Sequence, residues 1–420
     1  MPRRASLPAI LLLVAAAASL VTVVSPAPSF RAFRPLPASF NRPAAVKSFK
    51  QLAKHATDIL DIIQKLVPPP APPGGGGGGG GDQLYSTPAE TVSLYTIDVV
   101  VGTPEGQNIS GVIDISSELM WTQCSPCTRC LSPPVSSFNP SDSTTRITCG
   151  SRMCQKIFQS SETCFDGNTS EPCGYTMSYS QNTSASGFFV SDNFTIAGTS
   201  VGGMVFGCSV SSAGDFSGAS GVIGLGRGEL SLVSQLGLSN FSYYLAPEDA
   251  AADRGNEVQL GVAAVPQTGR VRVRSTPLLR SRNHTELYYV GLTGIRVDGR
   301  DLAGIPPGTF DLAGDGSGGV FLSTTVPVTY LVEDAYEALK QALGSSIPVQ
   351  RASQGGGGLC YTAQSMAGVK IPRLTLVFAG DDATMELKRQ ENYFFRFNDG
   401  GRDLVCLSVL PSRDACSWAP

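Results

Sequence analysis

Residues 112–124 of this 420-residue chain read VIDISSELMWTQC: an apolar pair, an aspartate, a short polar stretch and a second apolar run that ends at a cysteine. On both sides the chain consists of short apolar runs, such as residues 94–101 and 109–115, interrupted by Gly, Pro, Asn and Ser. This pattern is typical of an all-β protein. Helical periodicity is confined to short pieces at 230–236 and 333–343.

The glycine-rich run at residues 221–228 raises the question of nucleotide binding. A dinucleotide-binding fingerprint requires a strand, a glycine turn and a helix, with an acidic residue further on. The sequence around 221–228 shows no such alternation of strands and helices. We therefore exclude a nucleotide site there.

The length and composition indicate a globular protein. Single hydrophobic cores stop growing near about 250–300 residues, so the chain predicts two lobes, or one large domain with appendages. Apolar residues make up 42% of the chain and charged residues 15%, which excludes a disordered polar tract and a membrane bundle. A net charge of −3 excludes an electrostatic surface for nucleic acid or anionic lipid.

The first 81 residues carry export and linker signals. Residues 1–27 predict a signal peptide, because two arginines precede an apolar run. The alternative is an uncleaved membrane anchor. The apolar run is, however, shorter than the about 20 residues that are needed to span a bilayer. Residues 28–81 predict one amphipathic helix, then a Pro-rich tract and eight consecutive glycines. This segment is either a pro-region or a tether, and we expect the folded body to begin near Asp82.

Eleven cysteines in an exported chain predict disulfides. Cys124, Cys127 and Cys130 have a spacing that also suits zinc, but the two histidines, His55 and His284, lie far from them in the sequence. We therefore expect no metal site. Six Asn-x-Ser/Thr sequons predict a glycosylated surface, and they begin at Asn108, Asn168, Asn182, Asn193, Asn240 and Asn283.

The stretch around Asp114 resembles the first active-site region of pepsin-like aspartic proteases, in particular the plant nepenthesin-type group. That family reads two apolar residues and then Asp-Thr-Gly-Ser, whereas Ile115 and Ser116 stand in place of the Thr and Gly. The resemblance covers roughly residues 94–410. Further similar motifs follow in the same order at residues 206–208, 221–228, 231–237 and 241–245.

This resemblance implies an all-β, bilobal pepsin-like fold with a few short helices. The N-terminal lobe is expected at 82–267 and the C-terminal lobe at 268–420. In the family, one aspartate from each lobe faces the cleft between the lobes, and a hairpin called the flap lies over them. The flap is expected at residues 175–191, where Tyr179 matches the family's flap tyrosine.

The second active-site region is expected at residues 318–326. The family reads Gly-Gly, three apolar residues and Asp-Ser-Gly-Thr at this place, and the register puts Ser323 on the position of the second aspartate. Asp311 and Asp315 lie upstream and cannot reach that position without a shift of the whole strand. We expect the side chains of Asp114 and Ser323 to lie side by side, well within about 8 Å.

Two further departures from the family concern the C-terminal region. Similar proteins continue with an Ile-Gly-Asn strand that crosses the second active-site loop. Residues 411–420 lack this pattern. We therefore expect that strand to be missing and the C-terminal lobe to be incomplete. In similar proteins a cysteine follows the Phe-Ser-Tyr motif, but Tyr244 stands there. The resemblance therefore leaves Cys208 or Cys416 unpaired and pairs Cys360 with Cys406.

Aspartic proteolysis requires two carboxylates that share one proton and divide the roles of acid and base. Our leading hypothesis is therefore a secreted, extracellular monomer of the cell wall or apoplast without proteolytic activity. It would bind a peptide or protein in the interlobe cleft, and a secreted enzyme is one candidate partner; cereal xylanase inhibitors of similar fold are a precedent. The alternatives are an active aspartic endopeptidase and a truncated product without a folded C-terminal lobe. No cofactor, metal, nucleic-acid partner or stable membrane span is expected.

Overall fold

The protein is described from a computed structural model. It describes residues 30–33 and 94–418, with gaps at 141–142, 158–163, 165–167, 181, 245–256, 262–272, 327, 353–357, 388–391, 400 and 413–415. The predicted signal peptide, amphipathic helix, Pro/Gly linker and body start near Asp82 lie outside these residues. The predicted lobe boundary between residues 267 and 268 also lies outside them.

The first half of the body is built from one large sheet and one small sheet. The strands are β1 (Phe30–Phe33), β2 (Thr96–Val101), β3 (Gln107–Asp114), β4 (Trp121–Gln123), β5 (Thr145–Arg146), β6 (Gly174–Ser180), β7 (Thr183–Ile196), β8 (Thr199–Ala213), β9 (Gly221–Gly224), β10 (Phe241–Tyr244) and β11 (Glu257–Leu260). The eight-stranded sheet has the order β2-β3-β9-β4-β8-β7-β5, and β6 pairs with β7. The small sheet has the order β1-β11-β10.

The second half is built from three sheets. The strands are β12 (Leu278–Leu279), β13 (Tyr289–Val290), β14 (Leu292–Val297), β15 (Arg300–Asp301), β16 (Val320–Leu322), β17 (Thr329–Val332), β18 (Cys360–Thr362), β19 (Leu374–Phe378), β20 (Thr384–Leu387), β21 (Phe394–Asp399), β22 (Arg402–Leu407), β23 (Val409–Ser412) and β24 (Cys416–Trp418). The sheet orders are β12-β13-β16-β24-β17-β23, β15-β14-β19-β20 and β18-β22-β21.

Helices are few, and the longest one packs on the second core. The described helices are α1 (Arg152–Ile157), α2 (Leu232–Gln235), α3 (Glu333–Ser346) and α4 (Ala363–Met366). Both helices predicted from periodicity, at 230–236 and 333–343, are confirmed. In α3 the acidic first turn suits the helix dipole, and Ala335, Leu339 and Leu343 recur every four residues on the buried face. Among the described residues, no helix is long and apolar enough to cross a membrane.

The two halves have separate hydrophobic cores. The first half packs its large sheet on residues such as Val101, Phe138 and Phe206, all at most 1% exposed. The second half packs α3 against its sheets, where Leu339 and Leu376 are at most 1% exposed. The many strands and few short helices confirm the predicted all-β architecture.

A short strand crosses between two others in each half, with the same pairing. In the first half, β9 pairs in parallel with β3 and antiparallel with β4, where Trp121 lies opposite Val222. In the second half, β24 pairs in parallel with β16 and antiparallel with β17, where Tyr330 lies opposite Ser417. The expectation that the second crossing strand is missing is therefore wrong. Residues without the Ile-Gly-Asn pattern take its place, because backbone pairing does not depend on that sequence.

Disulfides connect strands in both halves. The described pairs are Cys124–Cys208, Cys127–Cys130, Cys149–Cys164, Cys154–Cys173 and Cys360–Cys406. The predicted pair in the C-terminal half is confirmed, with Cα atoms 4.1 Å apart in the adjacent strands β18 and β22. Cys208 is not the odd cysteine, because it is bonded to Cys124. These five pairs account for ten of the eleven cysteines, and the side chain of Cys416 lies outside the part of the chain that the structure describes.

Candidate functional site

Asp114 lies at the end of β3 and is buried, with 5% of its surface exposed. Ser116 donates two hydrogen bonds to the same carboxylate oxygen, Oδ1, from its backbone N–H at 2.8 Å and its hydroxyl at 2.5 Å. Burial raises the pKa of Asp114 above its ordinary value, because it penalises the charged form, and the Ser116 hydrogen bonds oppose this rise. Asp114 is therefore a buried carboxyl group with one oxygen already occupied.

Ser323 follows directly after β16, as Asp114 ends β3, and its side chain has no exposed surface. Its hydroxyl oxygen lies 3.3 Å from that of Thr325, and the Thr325 N–H donates to it at 3.4 Å. These contacts are within its own loop. The expected side-by-side placement of Ser323 and Asp114 stays a prediction.

Thr324 joins the two loops. Its hydroxyl donates to the carbonyl oxygen of Ile113 at 2.8 Å and accepts from the N–H of Ile115 at 3.3 Å, so it contacts the residues on both sides of Asp114. Ile115, at the matching position of the first loop, has no hydroxyl with which to return the contact. In the described part of the chain, the side-chain hydrogen bonds found between the two loops therefore come from Thr324. The sequence pattern alone does not reveal this role of Thr324, although its hydroxyl directly after Ser323 is a signal that could have indicated it.

The crossing strand β9 and the two residues that follow it support the first loop through their backbone. Leu225 N–H donates to the carbonyl oxygen of Asp114 at 2.8 Å, and Gly226 N–H donates to that of Ser117 at 2.9 Å. A Cβ atom at Gly224 would lie 2.3 Å from the carbonyl oxygen of Leu119. Glycine is required there because only its bare Cα allows the two chains to approach so closely.

Tyr179 lies in the hairpin formed by β6 and β7. Its hydroxyl oxygen accepts a hydrogen bond from the indole N–H of Trp121 at 2.7 Å. Phe216 packs edge-on against both rings, with centroids 5.1 Å from Trp121 and 5.8 Å from Tyr179. Burial raises the pKa of the Tyr179 hydroxyl, and the nearby charge of Asp114 adds to the rise. This tyrosine is therefore both close to Asp114 and held by an aromatic cluster, Trp121, Tyr179 and Phe216.

Other side chains considered from sequence lie elsewhere. Asp311 and Asp315 are exposed, and the carboxylate of Asp315 accepts hydrogen bonds from the backbone and hydroxyl of Ser317. The imidazole Nδ1 of His284 lies 3.3 Å from the carboxylate of Glu286. Cys124, Cys127 and Cys130, the group with zinc-like spacing, are all in disulfides, so none offers a thiolate.

Crossing strands in both halves, a buried aspartate at the end of β3 and a hairpin tyrosine beside it define a protein of the pepsin-like class. Two family models match the chain, one for the xylanase inhibitor N-terminal region at residues 95–261 and one for the xylanase inhibitor C-terminal region at residues 287–418. Nepenthesin-1 from Nepenthes gracilis, an aspartic proteinase, is 33% identical over 330 residues, which are 77% of this chain and 71% of that protein. The chain therefore belongs to the plant family of pepsin-like aspartic proteases.

Further comparisons agree with this family. Nepenthesin-2 from the same species is 36% identical over 292 residues, which are 68% of this chain but only 64% of that protein. Among solved structures, basic 7S globulin from soybean superposes with a TM-score of 0.56 at 18% identity, over 77% of this chain and 87% of that one. Conglutin gamma from lupine seeds has a TM-score of 0.55 at 22% identity, over 77% and 86%. The two structures support the fold alone.

Proposed function

We propose that this protein is a secreted member of the aspartic protease family that has lost proteolytic activity and binds a peptide or protein in the cleft between its lobes. The observation that carries the proposal is the position of Ser323. Trp121 follows Asp114 by seven residues and Tyr330 follows Ser323 by seven, and each aromatic residue pairs with the crossing strand of its own half. This matched register supports Ser323 as the residue that replaces the second catalytic aspartate.

A serine at this position cannot take the part of a carboxylate. Two aspartates a few ångströms apart share one proton, because both cannot ionise cheaply, and this coupling gives one the role of base and the other the role of acid. A serine hydroxyl neither carries the charge nor takes up the proton. Among the described residues, no second carboxylate contributes to the raised pKa of Asp114, which has burial as its largest cause.

A serine nucleophile is not supported either. Such a mechanism needs a base within hydrogen-bond reach of the hydroxyl, usually a histidine. The contacts found for the Ser323 hydroxyl are with Thr325, and His284 is engaged with Glu286. These features favour binding over catalysis at this site.

The ligand of the cleft follows from the parts that are retained. The Trp121–Tyr179–Phe216 cluster places a hairpin beside Asp114, and a pepsin-like cleft accommodates an extended peptide segment. A secreted enzyme with an exposed loop of that form is one candidate. The disulfides and the six sequons support a glycosylated protein exported to the cell wall or apoplast. We propose a monomer that needs no cofactor.

An active endopeptidase is the second candidate, because Asp114 is retained and relatives 33–36% identical are named aspartic proteinases. A rescue experiment distinguishes the two. The double variant Ser323→Asp/Thr325→Gly keeps Thr324 and restores an Asp-x-Gly loop, and the matched control is Thr325→Gly alone. Cleavage of peptides at acid pH that appears only in the double variant supports the proposal. Equal cleavage by wild type and double variant contradicts it.

A further inference from the structure

We propose that the disulfide Cys127–Cys130 is a site of reversible thiol–disulfide exchange with small thiols. This inference does not depend on whether the protein cleaves peptides. Cys130 is exposed and Cys127 is half-buried. The two close a Cys-Thr-Arg-Cys segment that begins four residues after the end of β4. Exchange requires access of a thiolate to a disulfide sulfur, and Cys130 offers that access.

The other disulfides are far less accessible. Cys124–Cys208, Cys154–Cys173 and Cys360–Cys406 join cysteines that are at most 2% exposed, so a thiol cannot reach them without local unfolding. Cys149–Cys164 is intermediate, because Cys149 is 8% exposed and Cys164 is half-buried. Exposure therefore ranks Cys127–Cys130 first among the five described disulfides.

Loop length gives the same ranking for stability. A disulfide stabilises the folded state more when it closes a longer loop in the unfolded chain. Cys127 and Cys130 are separated by three positions, whereas the other pairs are separated by 15 to 84. Opening the shortest loop therefore removes the smallest constraint, and the fold should survive it.

The backbone of this segment is held in place independently of its disulfide. Thr128 N–H donates to the carbonyl oxygen of Val210 at 2.7 Å, and Ser212 N–H donates to that of Arg129 at 2.8 Å, so the segment pairs with β8. On the far side, Leu131 N–H donates to the side chain of Gln123 at 2.6 Å. The two thiols formed by reduction would remain close together, which favours their reoxidation.

The exchange is balanced with a small thiol as the reductant. Its thiolate attacks Sγ of Cys130, forms a mixed disulfide there and releases Cys127 as the leaving thiolate. A second thiol attacks the small-molecule sulfur of the mixed disulfide and releases Cys130. One protein disulfide and two small thiols thus become two protein thiols and one small disulfide, and the protons of the small thiols end on the cysteines.

The test uses the full chain and glutathione. The native protein is incubated in reduced glutathione, quenched with acid and alkylated, and each disulfide is then quantified by peptide mass spectrometry. We expect Cys127–Cys130 to open at least about tenfold faster than Cys360–Cys406, the internal control, with an unchanged near-ultraviolet circular dichroism spectrum. Earlier opening of Cys149–Cys164, or joint opening of all pairs with loss of the spectrum, would overturn the proposal.

A pair of single variants tests the direction of attack. Cys127→Ser leaves the exposed Cys130, and Cys130→Ser leaves the half-buried Cys127. With oxidised glutathione, we expect the mixed disulfide to form several-fold faster in Cys127→Ser. Equal rates in the two variants would overturn the assignment of Cys130 as the attacked sulfur. The double variant Cys127→Ser/Cys130→Ser should keep the native spectrum and lose glutathione labelling at these positions.

Discussion

The hydroxyl of Thr324 donates a hydrogen bond to the carbonyl oxygen of Ile113 at 2.8 Å, and this contact joins the loop after β16 to the loop after β3. The same hydroxyl accepts from the N–H of Ile115. Thr324→Val keeps the shape and removes both bonds between buried groups. We expect a loss of about 1–3 kcal/mol in the free energy of unfolding, measured by urea denaturation.

Thr324→Ser is the matched control for this substitution, because it retains the hydroxyl and removes only a methyl group. It should recover most of the stability lost in Thr324→Val. If both variants are as stable as the wild-type protein, the contact does not hold the two loops together.

The second prediction concerns the pH dependence of stability. Burial raises the pKa of Asp114 in the folded state above its unfolded value of about 3.9. The stability from the protonated carboxyl is therefore fully present below the unfolded pKa and is lost as the pH rises through the folded pKa. Asp114→Asn cannot ionise and should escape this loss.

Thermal unfolding measured in acid and at neutral pH checks this expectation. At about pH 3.5, wild type and Asp114→Asn should have similar Tm values. At neutral pH the variant should melt at a higher temperature than the wild-type protein, because the asparagine ionises in neither the folded nor the unfolded state. A difference between the two proteins that is the same at both pH values would show that Asp114 is not held in an unfavourable charged state.

The third prediction concerns the hairpin. Tyr179→Phe keeps the ring contacts with Trp121 and Phe216 but leaves the indole N–H of Trp121 without its acceptor. We expect the hairpin to open more easily by about 0.5–1.5 kcal/mol, the net worth of a hydrogen bond. Hydrogen exchange of residues 174–190 should speed up accordingly, while exchange in α3 stays unchanged. Unchanged exchange at the hairpin would mean that the bond does not hold it.

The fourth prediction concerns the crossing strand of the second half. Ser417 lies opposite Phe321 in β16 and opposite Tyr330 in β17. Ser417→Pro removes a backbone donor from this ladder, and we expect a loss of about 1–3 kcal/mol in unfolding free energy. Ser417→Ala is the control and should unfold like the wild-type protein. Equal stability of the two variants would show that β24 is not needed between β16 and β17.

The sequence predicted those parts of the fold that are specified by local motifs. The surroundings of Asp114, the hairpin with Tyr179, the helix at 333–343 and the Cys360–Cys406 pair were all accessible, because each depends on residue identity at fixed spacing. The crossing strand β24 was not, because its pairing uses backbone groups that any residue supplies. Its sequence, Cys416–Trp418, carries no family pattern from which the position could be read.

For the candidate site, the sequence pointed to residues but not to the contacts that they make. Asp114, Ser323 and Tyr179 could be chosen from the motif register, whereas the link from Thr324 to Ile113 spans 211 positions and depends on how the two halves dock. The Ser116 hydroxyl on Asp114 was likewise hidden, because a serine in place of glycine reads as the loss of a motif. Contacts of this kind arise from tertiary packing.

Cleavage of a peptide library by the purified wild-type protein at acid pH, with and without pepstatin, shows whether the protein has lost proteolytic activity. Processed protein, beginning near the predicted body start at Asp82, should be used together with the full chain, so that an attached N-terminal segment does not hide activity. We expect no pepstatin-sensitive cleavage by either form, and the same product profile for wild type and Asp114→Asn. Pepstatin-sensitive cleavage by the wild-type protein that disappears in Asp114→Asn would contradict it.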